Sequence, residues 1–449
     1  MVASGDGAMR STAVFTAGLG LFTLCCGGDD GRQDSGAADG IGFPTAEGTG
    51  AAGTAGDGGG GSADEGSDGD DDGKACNEGS VDFTFIWIAN SPEGTVSKID
   101  TRTAVELARY RTGPEPGSDP SRTAVNLTGD VAVLNRAGSV TKIAALLERC
   151  VDANGDGVIT TSEGPADILP WGQDECVLWN QPVPHFEPEP GDHVWGARPV
   201  AWDGGIPNPE DICDRGPSRL WVGWYEGIDT NVAGFRRLDG ATGQTLSEVV
   251  VPGWSQIPFE SSRPYGGATD RDGNLWALGK PYQLLRIDGE TLETELTFAG
   301  VTDEFYGIAL DADGSPWIAQ CNGWVRRFDR ETGSFRNVAN AGGCMRGLAI
   351  DTEQRAWVAG NDPCRLVLVD VQDEAIIDAD IPLPGCAEPV GVSIDIDGMV
   401  WVVDRDANLA YKIDPETHAV LAQVEGLISP YTYSDMTGAG LSLQFNPEG

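Results

Sequence analysis

The chain has 449 residues, among them 63 Gly, with 70 Asp or Glu against 29 Lys or Arg, a formal net charge of −41. An acid excess of this size excludes nucleic acid or a bare anionic bilayer as a partner and concentrates cations at the surface. Apolar residues come in short runs with almost no helical period, which excludes a helical bundle.

The amino end reads as an export signal. Met9-Arg10 and the apolar run from Ser11 to Leu24 fit a secretory signal peptide that starts at Met9. The run is too short for a membrane span, and it ends at Cys25-Cys26-Gly27-Gly28, which resembles the lipobox of bacterial lipoproteins, where a cysteine becomes the lipidated first residue. Leu24 is too large for the position before that cysteine. Cys26, preceded by the small Cys25, is therefore the expected lipidation site, with secretion without a lipid as the alternative. Residues 27–75 carry twelve acidic and two basic residues and almost no large apolar side chains. Such a segment buries too little surface to offset its ordering entropy, so a disordered tether is expected. Removing the tether's −10 and the neutral residues 1–26 from −41 leaves −31 on residues 76–449.

From residue 84 a unit of about forty residues recurs, a period typical of propeller blades. Gly266, Gly307, Gly347 and Gly391 precede Trp276, Trp317, Trp357 and Trp401, and then Asp288, Asp329, Asp370 and Asp414. Tryptophan spacings are 41, 40 and 44 residues. Within one unit, Gly307–Asp311 and Pro316–Ala319 flank the turn Ala312-Asp313-Gly314, and Trp324–Asp329 alternates apolar and polar residues before Glu331-Thr332-Gly333. That pattern gives four antiparallel strands per unit. Looser copies at 84–113, 121–147 (with Val131 in the tryptophan's place) and 198–253 bring the count to seven. The expected fold is therefore all-β, a seven-bladed propeller on residues 76–449. Its tryptophans pack between adjacent blades. The segment 430–438 repeats the start of the inner strand at 264–273, whereas the first unit begins at its tryptophan strand, 85–88. A strand near 431–436 is thus expected to close the ring beside 84–113.

Eight cysteines follow the lipobox pair, an even number suited to an exported chain. Cys321 and Cys364 each follow a tryptophan strand, and Cys344 and Cys386 each precede the next inner strand, which predicts bridges Cys321–Cys344 and Cys364–Cys386. Cys150 with Cys176 is a third expected bridge, leaving Cys76 and Cys213 by elimination.

An insertion at 148–197, between the second and third units, holds the sharpest chemical motif. Residues 152–163 match the twelve-residue EF-hand calcium loop. Calcium takes six to eight oxygens. Here Asp152, Asn154 and Asp156 offer side-chain oxygens, Val158 a carbonyl, Thr160 a direct or water-mediated contact, and Glu163 a bidentate carboxylate, while Gly157 allows the turn and Ile159 points inward. Residues 142–149 are expected to form an entering helix, but Gly164-Pro165 breaks the exiting one. A structural Ca2+ clip is the expectation, and the Asp-x-Asp-Gly runs at 270–273, 311–314 and 395–398 are read as hairpin turns.

The repeats, such as Tyr306-Gly307-Ile308-Ala309-Leu310-Asp311-Ala312-Asp313-Gly314-Ser315-Pro316-Trp317, resemble those of streptogramin (virginiamycin B) lyases and the related NHL-type propellers across nearly all of 84–440. The resemblance implies seven blades, a ligand site over the central channel, and a lyase that uses a histidine and magnesium. The three histidines lie off the inner strands, His185 and His193 in the insertion and His418 in an outer turn. Residues at or before the inner-strand starts should line one mouth of the channel: Arg122, Arg198, Arg263, Tyr265, Tyr306, Arg346, Glu388 and Tyr431. The arginines either form an anion or carbohydrate pocket or pair with carboxylates and seal the channel. No Ser/His/Asp or Cys/His nucleophilic set is visible. The resulting expectation is a monomeric, lipid-anchored, calcium-binding propeller of the cell envelope. It would bind an envelope protein, a carbohydrate or a small anion, with a lyase or hydrolase of small ligands as the alternative.

Overall fold

In the computed structural model, residues 84–445 are described except 115–116, 186–195, 206, 209–210, 259–261, 281 and 301–303, with backbone alone for 207–208 and 211–215. The signal peptide, Cys26, the tether, Cys76, His193 and the side chain of Cys213 lie outside the described residues, and with them the expected Cys76–Cys213 pair.

Seven antiparallel sheets follow one another as blades of a propeller. Blade 5 is representative, with strands Phe305–Leu310, Pro316–Gln320, Trp324–Asp329 and Ser334–Asn340 paired in sequence order from the channel outward. Blade 1 contributes three strands of its own, Phe85–Asn90, Thr95–Asp100 and Val105–Arg111. Its inner position is filled by the carboxyl-terminal segment: Trp87 N–H donates to Met436 O (2.9 Å), Tyr431 N–H donates to Ala89 O (3.0 Å), and Asn90 bridges Pro430. The two ends of the repeat array thus share one blade, as the sequence predicts.

The repeated residues have separate mechanical roles. The inner strands converge on the channel so closely that a Cβ on Gly307 or Gly391 would overlap the carbonyl of Arg346 or Thr432 in the next blade, and one on Gly347 would stand 2.6 Å from Val390 O. Each tryptophan is buried against the following blade. Trp317 packs on Ala356, Val358 and Val367 of blade 6, Trp357 on Val392 and Val400 of blade 7, and Trp401 on Ile86 and Ile99 of blade 1. The first aspartate of each hairpin turn, Asp270, Asp311, Asp351 and Asp395, accepts the indole N–H of its own blade's tryptophan at 2.8–3.0 Å. Its other oxygen takes the backbone N–H four residues on, at 2.8–3.0 Å. A buried charge-assisted bond of this kind contributes roughly 1.5–3 kcal/mol, and it consumes the carboxylate. These runs are hairpin turns, in line with the sequence reading.

Blade 2 departs from the expectation in two ways. Register places Ala132, opposite Ala124, where the other blades have tryptophan, not Val131. The vacated space is filled from blade 3 by Trp202, whose indole N–H reaches Ala124 O at 2.9 Å. The insertion also falls inside blade 2, because Val177–Pro182 returns as that blade's fourth strand. The expected helix over 142–149 shrinks to a 3-10 turn at Leu147–Arg149, since Lys142 and Ile143 pair within the sheet. Blade 3 carries a short extra hairpin, Pro207–Asn208 with Asp211–Arg215.

Strand direction assigns the connections to two faces. Inner strands start on one face, which also holds the turns between second and third strands and the bridges Cys321–Cys344 and Cys364–Cys386. The Asp-x-Asp-Gly turns, the Cys150–Cys176 insertion and the short helix Ala439–Leu443 lie on the other. That helix covers the channel, burying Leu441 and Leu443, while Asp435 accepts the N–H groups of Gly438 (2.7 Å) and Leu441 (3.1 Å). Behind it the channel keeps a cavity of about 60 Å3, room for only a handful of waters.

Gly391→Ala is expected to destabilise the protein by about 2 kcal/mol or more, the range of overpacking against a rigid neighbour. Gly267→Ala, whose Cβ would meet nothing nearer than 3.5 Å, should be nearly neutral. Urea unfolding of the two variants side by side checks this, and equal midpoints would refute the role given to inter-blade approach.

Candidate functional site at the channel mouth

The starts of the inner strands hold an interlocked cluster of tyrosines and cations. Tyr431 is its hub: its hydroxyl lies 3.0 Å from that of Tyr265, 2.8 Å from Tyr306 and 3.3 Å from Tyr433. Arg122 stacks on Tyr433 at 3.4 Å and stands 4.8 Å from the Tyr265 ring, over which Arg198 (4.9 Å) and Arg263 (5.3 Å) also lie. Arg346 donates to the Tyr306 hydroxyl at 2.6 Å and pairs with Glu388, which also pairs with Arg405. All eight residues expected at the mouth therefore belong to one network.

Burial divides this network into two layers. Arg122, Arg198, Arg263 and the four tyrosines are at most 4% exposed. Arg346, Arg405 and Glu388 keep 11–17% of their side-chain surface. The inner layer is closed to solvent, and the outer layer forms a rim that solvent reaches. Burial opposes the charge on Arg346, but Tyr306 and Glu388 outweigh it and hold the guanidinium above its ordinary pKa. Burial pushes the Glu388 carboxyl up against the pull of Arg346 and Arg405, and it raises the Tyr433 phenol well above its usual range despite Arg122. Asp404 accepts the N–H groups of Ala387 (2.8 Å) and Glu388 (2.9 Å), which fixes the rim carboxylate from behind.

Four members of the cluster are absent from the sequence reading: Tyr433, Arg136, Lys280 and Arg405. Tyr433 lies two residues from Tyr431 and so on the same side of an extended strand. Arg136, Lys280 and Arg405 each follow the last residue of a second strand, and each donates its backbone N–H to the residue just before or at the start of the inner strand, Asp119, Arg263 and Glu388. Alignment of the repeats at that position carries the signal. Lys280 lies over Tyr265 and Tyr306 at 5.3 and 5.2 Å, Arg136 over Tyr431 at 5.0 Å.

The loop 152–163 lies on the opposite face, exposed and closed on itself. Asp152 accepts the N–H groups of Gly155 (2.7 Å) and Gly157 (2.9 Å), Asn154 that of Asp156 (2.8 Å), and Asp156 that of Val158 (2.8 Å). Glu175, next to the Cys150–Cys176 bridge, holds both arms by accepting from Ala153 (2.9 Å) and Thr160 (2.8 Å). Ile159 packs inward beneath Trp87 and its neighbours. The oxygen-only donor set and the turn at Gly157, at positive φ, fit a hard divalent cation. The carboxylates of Asp152, Asp156 and Glu163 do not all come within 4.8 Å of one another. Of the described histidines, His418 pairs with Asp378 at 3.5 Å on the loop's face, and His185 is exposed beside Gly138.

No protein-family model and no curated protein sequence matches the chain. Among solved structures it is similar to a streptogramin B lyase, at 15% identity and a TM-score of 0.49 over 72% of this chain and 91% of that one. It is also similar to virginiamycin B lyase from Staphylococcus aureus, at 14% and 0.46 over 70% and 88%. A third is the β-propeller domain of Myceliophteria thermophila Cps50 (Swd1), at 14% and 0.43 over 68% and 86%. These likenesses concern architecture, and the seven-bladed fold rests on the strand pairing itself.

Blade 1 is tied to blade 2, just ahead of the insertion, through Lys98, which donates to Ala145 O and lies 4.1 Å from the Phe85 ring. Burial, reinforced by Arg149, lowers its pKa to about 8 from 10.5. The unfolded chain therefore binds more protons between these values, so this group's contribution to stability rises as pH increases from 8 to 10.5. Lys98→Met should flatten that slope in urea unfolding followed across the window. An unchanged slope would show that Lys98 is not desolvated.

Proposed function

We propose that the protein is an exported, lipid-anchored propeller that binds Ca2+ through residues 152–163 and presents its channel mouth as a binding module for a small anionic or carbohydrate ligand, or for an envelope protein carrying such a group. The observation that carries this reading is the rim. In a region whose net charge is −31, Arg346 and Arg405 stand together at the solvent-reaching edge of a cation cluster, both fixed by the shared carboxylate of Glu388, with Asp406 as a second partner of Arg405 at 2.9 Å. A local positive site in an acidic field attracts anions selectively, and guanidinium forks suit carboxylate, sulfate and phosphate. Calcium on the opposite face would stabilise blade 2 without touching the ligand. The twelve-residue loop pattern and its support by Glu175 favour that role. No observation favours turnover over binding.

Calorimetry tests both parts. Glucuronate and inorganic phosphate serve as probe anions, and at least one should bind saturably. Replacing Arg346 and Arg405 together by Ala should weaken it by roughly 10- to 100-fold, the worth of one or two charge-assisted bonds, with the circular dichroism unchanged. Binding that ignores the double substitution, or no binding of either anion, would remove the mouth from the proposal. One Ca2+ should bind the wild type, and none should bind Glu163→Ala. Absence of binding to the wild type would show that the loop is only a sequence match.

A further inference from the structure

Behind the rim lies a charge that the rim does not explain. Arg122 is 0% exposed. Its Nε donates to Tyr265 O (3.3 Å) and its Nη1 to Ser121 O (2.6 Å), but its Nη2 has no hydrogen-bond partner among the described residues. The rings of Tyr265, Tyr431 and Tyr433 lie around it, and no carboxylate pairs with it among the described residues. Arg198 and Arg263 approach the same Tyr265 ring, so three guanidinium groups crowd one phenol. Ring faces attract a cation only in part and do not replace its lost hydration. A buried guanidinium of this kind calls for a negative charge inside the seal.

The nearby acids do not supply that charge to Arg122, since Glu388 is engaged by Arg346 and Arg405, and Asp119 by Arg136 at 3.2 Å. The Tyr433 phenol, in contact with Arg122, is driven towards its neutral form by burial. We propose that the sealed layer holds one small monovalent anion of the halide class, seated against Arg122 Nη2 beside the tyrosine hub. Size and hydration select the class. Carboxylates and phosphates need several donors and are costly to strip of water, whereas a spherical halide is satisfied by one guanidinium edge and polarised phenol hydroxyls. The site is separate from the rim and does not depend on the ligand proposed there.

The full-length protein, dialysed into gluconate, is titrated with chloride or bromide at constant ionic strength. The expected result is a saturable rise in melting temperature that Arg122→Gln abolishes. A bromide-soaked crystal of the wild type, which keeps the test independent of the variant's folding, should show an anomalous peak within hydrogen-bond reach of Arg122 Nη2. Identical melting in gluconate and halide, or no peak at Arg122, overturns the proposal. So does tyrosinate absorbance at neutral pH in gluconate that halide leaves unchanged, because the hub would then supply the countercharge.

Discussion

The pairing of residues 430–436 with the strand Phe85–Asn90 is the constraint on which the rest depends. A propeller blade buries its faces only against two neighbours, and blade 1 lacks its inner strand until the carboxyl-terminal segment arrives. Trp401 of blade 7 packs on Ile86 and Ile99, so an open ring would expose that interface and leave the inner strand of blade 7 without its neighbour. The same segment supplies Tyr431 and Tyr433 to the mouth and Asp435 to the cap of the helix Ala439–Leu443, and its continuation supplies Leu441 to the plug over the channel. Closure therefore joins the ring, completes the tyrosine hub and covers the channel's far end in a single stretch of chain.

Closure also separates the chemistry of the two faces. On one face, Arg and Lys side chains at equivalent strand starts and ends meet around phenols. On the other, aspartates recur at the hairpins of blades 4 to 7 but are occupied by indole and backbone N–H groups. The closing aspartates behave alike: Thr242 at Asp239, and Thr291 at Asp288, lower the carboxyl pKa through hydrogen bonds. These carboxylates stabilise turns in the ionised state, a contribution lost only in acid below the ordinary carboxylate pKa. Much of the net negative charge is thus structural and faces away from the mouth. Loop 152–163 stands apart because it is held by Glu175 from outside the motif.

The repeat was legible because glycine, tryptophan and aspartate each answer a demand that recurs in every blade: close approach, interface filling and turn closure. Ring closure and the bridges Cys321–Cys344 and Cys364–Cys386 followed from the same alignment, and Cys150–Cys176 from its place around the insertion. Blade 2 was misread where the demand was met from elsewhere, by Trp202 of the next blade. Its fourth strand went unseen because the insertion moved it some thirty residues away. The mouth was legible in part, since inner-strand starts are predictable positions. Arg136, Lys280 and Arg405 were missed because they sit in turns after second strands, where polar residues are ordinary, and their convergence depends on the ring's curvature. The split between a sealed layer and an open rim depends on side-chain burial, which no sequence spacing encodes.

Native-state hydrogen exchange at the amides of Trp87 and Tyr431, compared with an interior amide such as that of Ile318, tests the closure most directly. If the two termini lock the ring, all three should exchange only through global unfolding and respond alike to denaturant. Faster exchange at Trp87 and Tyr431, with blades 3 to 6 still protected, would show that the ring opens on its own and would contradict the central role given to closure.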